Sequence, residues 1–88
     1  MQDNFLEKYR EIGRRIAFYR SKRGISQETL GEKINYSKSY ISKIEAPGSS
    51  VPYSLDILFA IAVGLEVDPV IFLLPISDDN FENYRTDK

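Results

Sequence analysis

SQETLGEKINYSKSYISKIE, residues Ser26 to Glu45, is the stretch that decides the fold. Ser26 is a good helix N-cap, and Gln27, Glu28, Leu30, Gly31 and Ile34 behind it read as one short helix. Asn35 ends that helix, because Asn enters the left-handed backbone region more readily than any residue except Gly. Ser37 then caps a second short helix, Lys38 to Glu45, whose apolar positions are Ile41 and Ile44. Leu30, Ile34, Ile41 and Ile44 form one apolar set shared by the two helices. Gly31 sits where a larger side chain would push them apart. At about 3.6 residues per turn, Ile41 and Ile44 face inward while Lys38, Ser39, Ser42 and Lys43 make one continuous outer arc. That arc sets short hydroxyls between two long bases, with no acid inside it. Such a surface fits a major groove, whose base edges offer acceptors to Lys and mixed partners to Ser. Gln27 lies at the exposed start of its helix, where a side-chain amide and free backbone N–H groups meet a phosphate, and Ser37 anchors the backbone beside the arc.

Upstream, Phe5, Tyr9, Ile12, Ile16 and Tyr19 recur at three- and four-residue steps, the stripe of an amphipathic helix. Asn4 with Glu7 reads as a capping box at its start and Gly24 as its stop. Downstream, Ala46 to Tyr53 (APGSSVPY) reads as a loop. Ser54 caps a fourth helix, Leu55 to about Val63, ending at Gly64. Asp68-Pro69 opens a short fifth helix, Val70 to Leu74, stopped by Pro75. The remaining ISDDNFENYRTDK is acidic and polar and reads as a frayed tail. The expected organisation is therefore an all-α, five-helix domain over residues 1–75 with a flexible acidic tail over 76–88. Tyr9, Phe18, Tyr19 and Phe72, at helical spacing, read as core. Tyr36 and Tyr40 flank the turn and are open to packing or to backbone phosphates.

At 88 residues the chain closes one modest core, not two. It has no Cys and no His, which removes disulfides, thiolate metal sites, the commonest metal ligand and the commonest general base. No cluster of Lys and carboxylates stands in for them, so no enzyme, metal site, cofactor or small-molecule ligand is expected. Asp78, Asp79 and Glu82 read as a solvated acidic face rather than as metal ligands. The first residues carry no apolar leader, and the apolar stretch Leu55 to Leu65 is interrupted by Asp56 and too short for a bilayer. A cytoplasmic protein with no membrane partner is expected.

The net charge of −1 conceals a sharp division. Between Lys8 and Lys43 ten bases face only Glu11, Glu28 and Glu32, a balance of +7. From Glu45 onward Arg85 and Lys88 face eight acids, a balance of −6. A one-sided basic footprint takes this form in a sequence whatever the total.

The segments IGRRIAFYRSKRGISQETLGEKINYSKSYISKIE and SLDILFAIAVGLEVDPVIFLL resemble the Cro and phage-repressor family of helix-turn-helix domains, the XRE-like family. The resemblance runs from Ile12 to about Leu74. It rests on the Ser26-Gln27 pair, the small residue Gly31, and the run Ile41, Ile44, Glu45. It implies a five-helix DNA-binding fold and double-stranded DNA as partner. It also implies that Arg20, otherwise a tempting phosphate contact, pairs with Glu45 and locks the first helix to the recognition helix. The chain departs from the family's pattern at Asn35, where Gly is usual. It departs again in a longer loop after Glu45, with Ala46 where a basic or polar residue is frequent, and in its acidic total. Its length resembles stand-alone restriction-modification controllers and small phage repressors.

On the fourth helix, Leu55, Leu58, Ile61, Ala62 and Leu65 suffice for a core stripe. Ile57, Phe59 and Val63 are left over, more apolar surface than a small monomer exposes, and a homodimer would bury them. The expected function is a sequence-specific transcriptional regulator acting as a dimer on a (pseudo)palindromic operator. The competing reading is a protein-interaction adaptor or the antitoxin half of a toxin-antitoxin pair, supported only by the apolar excess of the fourth helix.

Overall fold

Five serine and aspartate caps and three left-handed stops divide the described residues into their elements. In a computed structural model describing residues 3–47 and 53–88, these are α1 (Asp3–Lys22), α2 (Gln27–Ile34), α3 (Lys38–Glu45), α4 (Leu55–Leu65) and α5 (Asp78–Tyr84), with a 3-10 turn at Pro69–Leu73. Most of the loop read between Ala46 and Tyr53 lies outside the described residues. Ser26 accepts from the Thr29 N–H, Ser37 from Tyr40, Ser54 from Ile57, Asp68 from Val70 and Ser77 from Asn80. Each such cap is worth about 1 kcal/mol. Asn35 stands at φ 66°, ψ 42°, and the next N–H, of Tyr36, bonds the Gly31 carbonyl at 2.9 Å. Gly24 turns the chain out of α1 at φ 73°. The fold is all-α, with a lone antiparallel bridge between Val67 and Arg85 among the described residues.

Ile16, Tyr19, Leu30, Ile41, Ile61 and Phe72 are wholly buried where α1, α2, α3, α4 and the 3-10 turn meet. Several elements differ from the sequence reading. The described part of helix α1 already includes Asp3, so Asn4 lies inside the helix and not at its start. Helix α4 runs through Gly64 to Leu65 and is closed by Glu66 in the left-handed region, φ 57°. Gly64 instead marks a close crossing: a Cβ there would stand 2.8 Å from both Ile34 Cγ2 and Leu30 Cδ1. The segment read as a fifth helix is the 3-10 turn, with i→i+3 bonds from Ile71 to Asp68 and from Leu74 to Ile71. Pro75 draws Leu74 into extended backbone and leaves no room for a full α-helical turn.

The largest difference is the C-terminal segment, read as a flexible tail over 76–88. It forms α5 and docks. Phe81 is buried, stacked on Tyr19 with ring centroids 6.2 Å apart, and the guanidinium of Arg23 lies 4.8 Å from its centroid. The backbone closes over it through Asp68 N–H to Tyr84 O and Thr86 N–H to Glu66 O, both 2.8 Å. Arg23 donates to the Leu65 carbonyl at 2.6 Å and to Asp87 at 2.7 Å. Arg85 first, and Arg23 second, hold the Asp87 carboxyl far below the usual carboxylate range. Composition concealed this, since a polar segment needs only one well-placed aromatic to find the core.

Helix α4 also exchanges two of its assigned faces. Leu55 is exposed and borders an open cleft of about 380 Å³ with Tyr9, Tyr53 and Leu73, whereas Ile57 packs against the core. The first turn of α4 overhangs the core edge, where Tyr53 meets Tyr9 edge to face at 5.1 Å and donates its hydroxyl to the Tyr9 carbonyl. Ile57 therefore drops out of the expected dimer surface and Leu55 joins it.

Candidate nucleic-acid interface

Helix α3 is gripped on two sides by glycines. A Cβ on Gly31 would collide with the Tyr36 carbonyl, so the turn passes directly over α2 at that point. A Cβ on Gly13 would collide with the Ile44 carbonyl, so α1 crosses the C-terminal end of α3 backbone to backbone. The Gly13 contact was not anticipated. Its only signal in the sequence is a glycine inside an otherwise regular amphipathic helix, where Gly is costly.

A polar lock adjoins this crossing. Arg20 grips Glu45 with two parallel bonds, Nε to Oε2 at 2.7 Å and Nη2 to Oε1 at 2.9 Å. Its Nη1 donates to the Ile25 carbonyl at 2.8 Å, which ties in the start of α2. The Glu45 hydrogen bond, and more weakly its charge, raises the guanidinium's pKa against the opposing effect of burial. Gln27 joins the same carboxylate, Nε2 to Oε1 at 2.9 Å. Read from the sequence as a free phosphate anchor, Gln27 thus has one amide N–H committed to Glu45. The other is left for a ligand.

With Ile41 and Ile44 buried beneath it, the outer face of α3 carries Lys38, Ser39, Ser42 and Lys43, all exposed, with Ser37 exposed at its cap. The Ser37 oxygen accepts the Tyr40 N–H at 3.1 Å and keeps its own proton to donate. Tyr36 and Tyr40 stack at 5.5 Å across the helix start, and burial, with the neighbouring Tyr36 second, pushes the Tyr40 hydroxyl's pKa up.

The electrostatics are narrower than the +7 count suggests. Arg15, Arg20, Lys22 and Arg23 are engaged by Glu11, Glu45, Asp78 and Asp87. Lys38 and Lys43 have no acidic partner within 4 Å among the described residues. Folding thus removes cations from the end of α1 and leaves them on α3. A cationic, hydroxyl-bearing helix face held rigidly from behind can enter a groove and present donors to base edges and phosphates.

A helix-turn-helix domain family matches residues 11–70. The chain belongs to that family and is a DNA-binding transcriptional regulator of the XRE-like kind. Among solved structures it is similar to the restriction-modification controller protein C.AhdI from Aeromonas hydrophila. That likeness has a TM-score of 0.73 and 25% identity, over 81% of this chain and 99% of that one. A point mutant of the restriction-modification controller protein C.Esp1396I is also similar, with a TM-score of 0.67 and 32% identity, over 75% of this chain and 85% of that one. No curated protein matches the chain. Among the described residues no helix is long and apolar enough to cross a membrane.

Proposed function

We propose that the chain binds a specific (pseudo)palindromic duplex operator as a homodimer and so regulates transcription in the cytoplasm. On this reading it is a small controller of the restriction-modification type and acts by binding rather than by catalysis. The observation that carries this is the arc Lys38, Ser39, Ser42 and Lys43, exposed together on a rigidly anchored helix while Arg20, Lys22 and Arg23 at the end of α1 are paired with acids. Lys43 and Ser39 reach base edges, Lys38 serves phosphate or base, and Ser37 and Gln27 position the backbone.

Selection of bound duplexes from a random pool should return one preferred half-site. Lys43→Ala should then cost about 1–3 kcal/mol on that site and relax one position of the consensus per half-site. Gln27→Ala should weaken all duplexes alike, because phosphate contacts position without specifying. Circular dichroism checks that both variants are folded. If Lys43→Ala changes neither affinity nor consensus, the recognition-helix assignment fails; if the protein binds no duplex at all, the adaptor reading takes its place.

The dimer is supported by the stripe that α4 leaves uncovered. Leu55, Phe59 and Val63 follow one another at four-residue steps and are 66%, 47% and 76% exposed, with Leu73 beside Leu55 along the cleft. A twofold partner on this stripe would bury it and set two recognition helices about 34 Å apart. Replacing Phe59 and Val63 together with Asp should give a monomer in sedimentation and lower operator affinity about 100-fold or more, because the second half-site no longer binds intramolecularly. A wild-type protein that sediments as a monomer at micromolar concentration, free and on DNA, would refute the dimer.

A further inference from the structure

We infer that Arg14, seconded by Arg10, grips the DNA backbone beside the C-terminal end of the recognition helix, a phosphate contact delivered by α1; this rests on the duplex-binding function proposed above. Gly13 defines the side of α1 that touches α3, since it abuts the Ile44 carbonyl. Successive residues of a helix step about 100°. Ile12 therefore turns from Gly13 toward the core, against which it packs, and Arg14 turns the opposite way, outward, where it is exposed. Arg10, one turn earlier, falls on the same outward side.

The charge pattern on this side works against the helix. Two arginines four residues apart repel and weaken a helix. Arg14 has no acid within 4 Å among the described residues, whereas Arg15, its neighbour in sequence, holds both Glu11 and the Phe72 carbonyl. Among the described residues Arg10 reaches only Glu7, at 3.6 Å, and its buried Nε has no hydrogen-bond partner. Arg14 is thus an exposed arginine without an acidic partner among the described residues, on the side of α1 that adjoins the end of α3. Arg's planar fork matches phosphate oxygens, and the position beside the last turn of α3 is where the backbone flanking the occupied groove would pass. Lys43, in that last turn, faces the groove itself.

Salt titrations on the selected duplex and on a random duplex of equal length test this. Arg14→Gln should reduce the slope of log affinity against log salt by about 0.9 for each protomer bound. The loss should be equal on both duplexes, with the consensus unaltered. Adding Arg10→Gln should lower the slope further. Arg14→Lys, which keeps the charge, should leave the slope at the wild-type value, and it serves as the control should the glutamine variant lose structure. If the wild type binds salt-sensitively but Arg14→Gln keeps its slope, or shifts the consensus instead, the inference is overturned while the function stands. A wild type that binds no duplex overturns both.

Discussion

Replacing Phe81 with Ala should destabilise the protein by about 3–5 kcal/mol, the usual cost of removing a buried aromatic. The ring is 5% exposed, lies against Tyr19, and carries the guanidiniums of Arg23 and Arg85 at 4.8 and 5.3 Å from its centroid. Its loss would open a cavity over Tyr19 and release Arg23, which holds the Leu65 and Glu66 carbonyls at the end of α4. Against the roughly 5–15 kcal/mol that stabilises a domain of this size, the change is large. The melting temperature should fall by roughly ten degrees or more. Asp79→Ala, at an exposed position of the same helix, should leave it nearly unchanged. Equal melting of the Phe81 variant and the wild type would return residues 76–88 to the status of a loose acidic tail.

Arg20→Ala should cost about 2–4 kcal/mol, because it leaves a carboxylate that is 5% exposed with Gln27 as its remaining partner among the described residues. The lower part of the range applies if water follows the vacated side chain. Arg20→Lys should recover only part, since a single ammonium cannot make both bonds to Glu45 and the third to Ile25. The guanidinium's pKa is raised by its partner, so its contribution is complete below arginine's ordinary value and is lost only above it. Melting between neutral pH and pH 9 should show no loss from this pair. Affinity for duplex DNA, measured where circular dichroism shows the variant folded, should stay within about threefold of wild type. A variant as stable as wild type that no longer binds DNA would make Arg20 a phosphate contact instead of a lock.

The helix-turn-helix was legible because it is built from local rules. Ser26 and Ser37 cap within three residues of themselves, Asn35 tolerates its own left-handed φ, and the outer arc of α3 follows from helical periodicity once Ile41 and Ile44 are inside. The surface read as recognition residues is exposed for the same reason. Gly13 and Gly64 were not legible, since what each makes room for belongs to another helix. The assignment of Leu55 and Ile57 failed because nearly every residue of α4 is apolar. A helix with apolar residues all round does not announce its inner face; the packing of Tyr9 and Tyr53 against its first turn chooses it.

Sequence alone determined that α1 to α4 are helices, the turn at Asn35 and the arc Lys38, Ser39, Ser42 and Lys43, all of which depend on residues within about four positions of one another. Only the tertiary structure decided which cations remain free and whether the last segment is ordered. Lys22 meets Asp78, Arg23 meets Asp87 and Phe81 meets Tyr19 across more than fifty intervening residues. A count of charges along the chain cannot anticipate such pairings, because an ion pair or a ring contact depends on distance in space, and only the packed core sets that distance.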